Sequence, residues 1–145
     1  MFLDIKKSVN GILKKTFPEI SLIAGEIKEG FERPSFFTYL TPITIQPLHK
    51  NYYRFVLLVG IRHYQGEVRT DVNQLEKYSK LDKAFLFELP VGKNSFLIRD
   101  KNFERFTDDY GFEFQFEISA RIRTDLLPKE ERERMEELIY GFTED

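Results

Sequence analysis

Cysteine and tryptophan are both missing from this 145-residue sequence, and only two histidines are present. The lack of cysteine excludes a disulfide framework, thiolate metal sites and cysteine nucleophiles, and it is compatible with a reducing compartment. No apolar run approaches the roughly 20 residues that a membrane-spanning helix needs. Because Met1 to Asp4 places an acid where a secretory signal carries positive charge, we expect a soluble protein, neither exported nor anchored.

An excess of charge of one sign is also lacking, since 22 basic and 24 acidic residues leave a net charge of −2. Such a balance creates no field that would hold the protein on nucleic acid. Aromatic residues are abundant instead, with 15 Phe and 7 Tyr. Each buried ring removes on the order of 150 to 250 Å² from water. We therefore expect one domain, residues 1–145, with apolar area for a core and some left for an interface.

Helical spacing of apolar residues predicts a first helix from Phe2 to Phe17, which Pro18 ends. A second helix is predicted from Asp71 to Leu89, with Asp71 and Gln74 as a capping-box-like pair at its start. The late part of that segment, Ala84 to Phe87, is also compatible with the start of a strand. The apolar stripe of the second helix is predicted to comprise Val72, Leu75, Tyr78, Leu81 or Asp82, and Phe85.

A third, amphipathic helix is predicted after Pro128, at about residues 129–142. Glu130 and Glu131 lie in its first turn, where the helix dipole favours acids. Its apolar stripe consists of Met135, Leu138, Ile139 and Phe142. The helix either folds back on its own sheet or docks on a neighbouring subunit.

Extended segments are predicted at Ile20 to Ile27, Ser35 to Leu48, Asn51 to Tyr64, Ser95 to Arg99 and Phe112 to Arg123. Proline cannot donate to a sheet ladder, so Pro42 and Pro47 make the second segment an edge strand or a bulged one. The third segment is apolar on both faces at its centre, which indicates cover on both sides by helices, another sheet or a neighbouring subunit. The last alternates strictly between apolar and polar residues, as in a strand with one wet face.

This order of elements predicts an α+β domain with a largely antiparallel β-sheet of four to five strands and helices packed on one face, in the order α-β-β-β-α-β-β-α. No internal repeat, low-complexity segment or linker interrupts it. A single domain with a C-terminal amphipathic helix is the expected organisation.

Residues that could carry chemistry do not form a motif. We expect His49 in a turn and His63 at a strand end, with neither in a metal-ligand or catalytic spacing. Asp108 and Asp109 lack a third carboxylate in a calcium or magnesium loop, so a solvated turn is the expected setting. Glu113 and Glu117 are four strand residues apart, about 13 Å, which exceeds the roughly 5 to 9.5 Å of a glycosidase pair. They are expected on a solvated or subunit-contacting face.

Gly25 and Gly30 lack the Lys-Ser/Thr that follows the glycines of a phosphate-binding loop. We therefore assign no catalytic, cofactor-binding or metal-binding residue and expect no cofactor. A hydrolase or nuclease of unrecognised type remains an alternative, which incubation with DNA and magnesium would test.

Two segments of the sequence, in their order along the chain, resemble those of a known protein family. The first is Glu26 to Leu40, EIKEGFERPSFFTYL, and the second is Asn51 to Tyr64, NYYRFVLLVGIRHY. With the N-terminal helix before them, they resemble the small tail terminator proteins of contractile-tailed bacteriophages and of related defective prophages and phage-tail-like bacteriocins. The likeness lies in the order and general character of these segments, over roughly the first two thirds of the chain. The charged tail after Pro128 departs from the family pattern, because it is longer and more acidic.

The resemblance implies a small α+β structural protein, not an enzyme, that assembles as a homo-oligomer, a hexameric ring. It implies a place in the virion tail at the neck end, after assembly in the bacterial host cytoplasm. Such a ring caps the tail tube, ends polymerisation of tube and sheath, and offers a surface to the head. The implied partners are the tail tube protein, the sheath protein and a neck or connector protein, with no membrane. A head-completion or neck protein of the same particle is the alternative.

DNA is expected to touch such a ring only in transit, because strong phosphate binding would stop it from sliding. The residues that could line a lumen are Arg54, Arg62, His63, Arg121 and Arg123. The alternative is ordinary surface charge balanced by Glu113 and Glu117, which we favour. As a hypothesis, the ring contact is supplied by Tyr52 to Tyr64, by Ser35 to Leu48 and by the helix from Lys129 to Phe142.

Overall fold

A computed structural model describes residues 2–23, 34–66, 70–106 and 111–123. Within these ranges the chain forms two helices and six strands. The elements are α1 (Phe2–Thr16), β1 (Ser21–Leu22), β2 (Ser35–His49), β3 (Tyr52–Tyr64), α2 (Asp71–Ala84), β4 (Glu88–Val91), β5 (Asn94–Phe106) and β6 (Gly111–Arg123). The predicted helix at 129–142 lies outside the described residues.

The strands form one sheet in the order β1-β2-β3-β6-β5-β4. Strands β1 and β2 run parallel, and every other neighbouring pair runs antiparallel. The α+β class is therefore confirmed, whereas four to five largely antiparallel strands are corrected to a mixed sheet of six. The predicted order is also wrong after α2, because three strands follow it instead of two.

Helix α1 matches its prediction to within one residue, since it ends at Thr16 before Pro18. Ile5, Val9 and Leu13, spaced by four, form its buried stripe. The helix contacts both β2 and β4, which are separated by three strands in the sheet order. The sheet therefore curls around α1, and the core lies on its concave, helix-covered face.

Helix α2 differs from its prediction at both ends. Its N-cap is Thr70, whose hydroxyl accepts a hydrogen bond from the Asn73 amide at 3.1 Å, so the predicted Asp71 and Gln74 pair is wrong by one residue. The helix ends at Ala84 and not at Leu89 because the following residues turn into β4. Gly92, at φ +60, then permits the tight return from β4 to β5.

The predicted apolar stripe of α2 is wrong in its first half. Val72 and Leu75 are exposed, at 65% and 51%. Gln74 is buried and Tyr78 half-buried, and Leu81 and Phe85 are fully buried, so the inward stripe is 74-78-81-85. Helix α2 packs against β6 and α1, and in this orientation a polar glutamine faces inward while two apolar side chains face outward.

Strand β2 shows both features that its prolines predicted. Its register with β3 shifts between Pro42 and Thr44 and again between Pro47 and His49. Its other side pairs with β1 only at Ser35 and Phe36, so the rest of β2 is a sheet edge within the described residues. Strand β1 is shorter than predicted in the described part, and from residue 24 the prediction lies outside it.

Strand β5 is much longer than the predicted Ser95 to Arg99, because it runs for 13 residues. Its register with β6 is interrupted between Arg99 and Asn102, where Asp100 has a φ of 53. Asp tolerates this left-handed conformation better than most residues. The resulting bulge breaks the alternation of side chains, and therefore the strand cannot be recognised in the sequence as one element.

Strands β3 and β6 form the centre of the core. On β3 the side chains of Phe55, Leu57, Val59 and Ile61 are buried, as predicted. On β6 the first four residues of the predicted apolar face, Phe112, Phe114, Phe116 and Ile118, are at 0% exposure, whereas its last two, Ala120 and Ile122, are partly buried. Helix α2 contributes Phe85, whose ring lies 5.3 Å from that of Phe116. Both helices lie on this face, as the sequence predicted.

His63 lies near the end of β3 and is fully buried in this core. Its ring is placed between those of Phe36 and Phe112, with centroids 4.8 and 5.1 Å away. Nδ1 is 3.2 Å from the carbonyl oxygen of Ser35, to which it donates in the neutral tautomer. Burial, followed by the positive charge of Lys77, lowers the pKa of the imidazole to about 4.

We predict that the protein loses stability as the pH falls from about 6.5 to about 4, because the unfolded chain takes up a proton on His63 before the folded one does. The expected loss from this group is about 3 kcal/mol in the free energy of unfolding. Urea unfolding at pH 7.0, 5.5 and 4.5 measures it. His63→Gln should flatten the pH dependence, whereas His49→Gln, at an exposed position, should not. An unchanged pH slope in His63→Gln would contradict this account.

Candidate functional site

The sheet face that points away from the two helices, here called the outer face, brings together most of the polar residues singled out in the sequence. Strands β2, β3 and β6 contribute one residue each to every row across it. The rows are Phe37–Arg62–Glu113, Tyr39–Gly60–Gln115, Thr41–Leu58–Glu117, Thr44–Val56–Ser119, Gln46–Arg54–Arg121 and His49–Tyr52–Arg123. His63 belongs to the opposite, buried face, so it cannot line a lumen.

The first two of these rows contain a polar cluster, here called the Tyr39 cluster: Tyr39, Arg62, Glu113 and Gln115. The Tyr39 hydroxyl donates to Oε1 of Glu113 and accepts a hydrogen bond from Nε2 of Gln115 at 2.9 Å. Arg62 Nε donates to the same Glu113 oxygen at 3.2 Å. The Arg62 guanidinium also lies 5.3 Å from the centroid of the Tyr39 ring. One carboxylate thus joins three strands.

Gly60 makes this arrangement possible. The Tyr39 ring lies so close to Gly60 that a Cβ atom there would overlap with Cζ of the ring. A glycine inside a strand often marks such a close approach. The ring therefore lies flat across β3 and reaches β6.

Glu113 is only 7% exposed, which corrects the expectation of a solvated position. Its ion pair with Arg62 confirms the interpretation of Arg62 as a balanced charge. Burial, and then the hydrogen bond to Glu113, raise the pKa of Tyr39, so its phenol is neutral. Burial acts to lower the pKa of Arg62, but the hydrogen bond and charge of Glu113 raise it overall. The cluster holds its charges in fixed positions and has the character of a structural clamp.

Glu117 lies on the same face with a different partner. Burial raises its pKa, and a hydrogen bond to Asp100 and the negative charge of that residue raise it further. Glu113 and Glu117 therefore do not act on a shared centre. Within the described ranges, no group of three or more His, Asp or Glu side chains is placed to hold a metal ion. Asp108 and Asp109, like Gly25 and Gly30, lie outside those ranges.

A second surface lies at the turn end of the β2–β3 hairpin. It is here called the basic-apolar strip and consists of Leu48, Tyr52, Arg54 and Arg121. Leu48 and Tyr52 are 41% and 39% exposed. Arg54 and Arg121 are exposed and directly opposite each other in the β3–β6 register. A shallow depression of about 390 Å³ is lined by Leu48, Tyr52 and Arg121 together with His49, which ends β2 instead of lying in the turn.

Neither arginine of the strip has an ion pair with any described residue. Like charges directly opposite each other on neighbouring strands destabilise a sheet. This placement therefore favours an anionic group beside the strip. The sequence singled out both arginines but could not show that they lie opposite each other, because this placement depends on the register between β3 and β6.

We predict that Gly60→Ala destabilises the protein by about 2 to 3 kcal/mol, since overpacking displaces Tyr39 and leaves Glu113 with fewer hydrogen bonds. Gly11→Ala is the matched control, because a Cβ there meets nothing within 4 Å and alanine favours the helix. In a Tyr39→Ala background, Gly60→Ala should cost much less. Urea unfolding of the four variants measures the coupling, and equal costs in both backgrounds would show that Tyr39 is not the obstacle.

The chain matches, over residues 4–130, the family model described as Phage tail terminator protein. No curated protein matches the chain. The part of the chain that the structure describes has no helix both long and apolar enough to cross a membrane. Because the matched range covers most of the sequence, this chain belongs to the phage tail terminator family.

Proposed function

We propose that this protein caps the head-proximal end of a contractile phage tail tube, ends polymerisation of tube and sheath, and provides the surface to which the head attaches. The match to the terminator family model over residues 4–130 is the observation that carries this proposal. The role is structural and non-enzymatic, in the tail of the virion, and assembly takes place in the host cytoplasm. The proposed partners are the tube, sheath and neck or connector proteins.

The physical mechanism that we propose is ring closure. A heterologous contact joins two different surfaces of neighbouring subunits, and it gives a finite ring when its rotation closes. Closure at six copies would produce a cap, whereas an open stack of rings would continue to grow. DNA would pass through the lumen and touch the ring only transiently.

The edge of β2 supports a subunit contact in this region. Beyond Phe36, this strand is paired on one side only within the described residues. Long unpaired edges invite pairing with another chain unless they are blocked or covered. Ile43, at the first bulge, is an apolar side chain 42% exposed on this edge. We propose that a neighbouring subunit covers β2 and the adjoining outer face of β3 from Val56 to Arg62, with the segment 129–142 beside them.

Deletion of this gene from its own phage or prophage should give overlong tails with filled heads left separate, because nothing ends tube growth. Electron microscopy of the particles measures the length of every tail and scores head attachment. Tails of normal length that fail to join heads would instead identify a neck protein, and unchanged particles would refute a structural role.

Ile43 tests whether the β2 edge takes part in the proposed subunit contact. Ile43→Asp should abolish complementation of the deletion strain, because a charge would be buried in the subunit contact. Val72→Asp is the matched control, since Val72 is 65% exposed on α2 and lies outside the proposed contact. Tail lengths in the two complemented strains measure the effect, and thermal unfolding confirms that both variants fold. Normal tails with Ile43→Asp would remove this edge from the contact.

A further inference from the structure

Charge is distributed unevenly between the two parts of this chain. Residues 124–145 contain eight acidic and three basic residues, whereas residues 1–123 contain 16 acidic and 19 basic ones. The acidic part begins where β6 ends, at Arg123. The basic-apolar strip lies at that same end of β6, and its two arginines have no ion pair among the described residues.

The acidic part carries a negative charge and apolar side chains that are complementary to the arginines and apolar side chains of the strip. If residues 129–142 form the predicted helix, Glu131 precedes Met135 by four positions and Leu138 by seven, so all three fall on one stripe. One carboxylate thus stands at the start of an apolar row. The strip offers the complement, with Arg54 and Arg121 beside the exposed Leu48 and Tyr52.

The tether places the two surfaces within reach of each other. Arg121 is two strand residues from Arg123, about 7 Å along β6. Residues 124–128 form a link of five residues, which spans up to about 17 Å when extended. A short link of this kind gives an effective concentration in the millimolar range. The segment of the same chain is therefore favoured over that of a second copy.

We propose that residues 129–142 of the same chain dock as an amphipathic helix on the basic-apolar strip, with Glu131 between Arg54 and Arg121, and with Met135 and Leu138 against Leu48 and Tyr52. The carboxylate offsets the repulsion between the two guanidinium groups, and the apolar row removes two exposed side chains from water. The docked helix covers the end of the β2–β3 hairpin in the free subunit. This docking does not depend on the ring proposed above.

Engineered cysteines test the proposal. No other thiol can form a disulfide in these variants, because the chain has no cysteine of its own. Leu48→Cys combined with Met135→Cys should form a disulfide within one chain under mild oxidation, at a rate independent of protein concentration. Val72→Cys combined with Met135→Cys is the matched control, because Val72 is 65% exposed on α2 and follows Asp71, whose ion pair with Arg105 lies at the opposite end of the β5–β6 pairing from Arg121. Intact mass and non-reducing electrophoresis measure both products.

Equal oxidation of both pairs, or of neither, would overturn the docking. A disulfide between two chains, at a rate that rises with protein concentration, would overturn the assignment to the same chain and identify a second copy as the occupant. Within the Leu48→Cys and Met135→Cys background, Arg121→Glu should slow the reaction by up to about fivefold, as expected for one exposed ion pair. Adding Glu131→Arg should restore it, and a rate unaffected by either change would refute the proposed ion pair.

Discussion

The continuous pairing of β3 with β6 is the constraint on which the rest of this structure depends. It runs without a shift from Tyr52 opposite Arg123 to Tyr64 opposite Gly111. A slip of one residue would turn every side chain of β6 to the other face, moving Phe114 outward and Glu113 into the core. The fully buried aromatic face of β6 opposes any such slip, because the helices cover it. The register between β3 and β6 therefore fixes both which side chains enter the core and which lie on the outer face.

The two faces of this pairing stabilise the domain by different physical means. The inner face buries aromatic and branched side chains around α1, and the curl of the sheet brings β2 and β4 to the same helix. The outer face is held by one carboxylate, Glu113, which accepts hydrogen bonds from β2 and β3. Gly60 permits this by leaving room for the Tyr39 ring.

The irregular parts of the fold lie away from this rigid centre. The two register shifts of β2 are near the end of the hairpin, where Leu48 and Tyr52 are exposed and where Arg54 faces Arg121. Such a region gains little from the core of its own subunit. It is the region on which we propose that residues 129–142 dock.

Local patterns in the sequence determined α1, the long strand β3 and the alternating strand β6, because apolar periodicity and a terminating proline are properties of consecutive residues. The order of the N-terminal helix, Glu26 to Leu40 and Asn51 to Tyr64 also carried the family resemblance. Tertiary structure alone decided that Gln74 is buried while Leu75 is exposed, that Tyr39 crosses Gly60, and that two arginines stand opposite each other. Such placements depend on strand register and on the curl around α1, which join residues far apart in the chain.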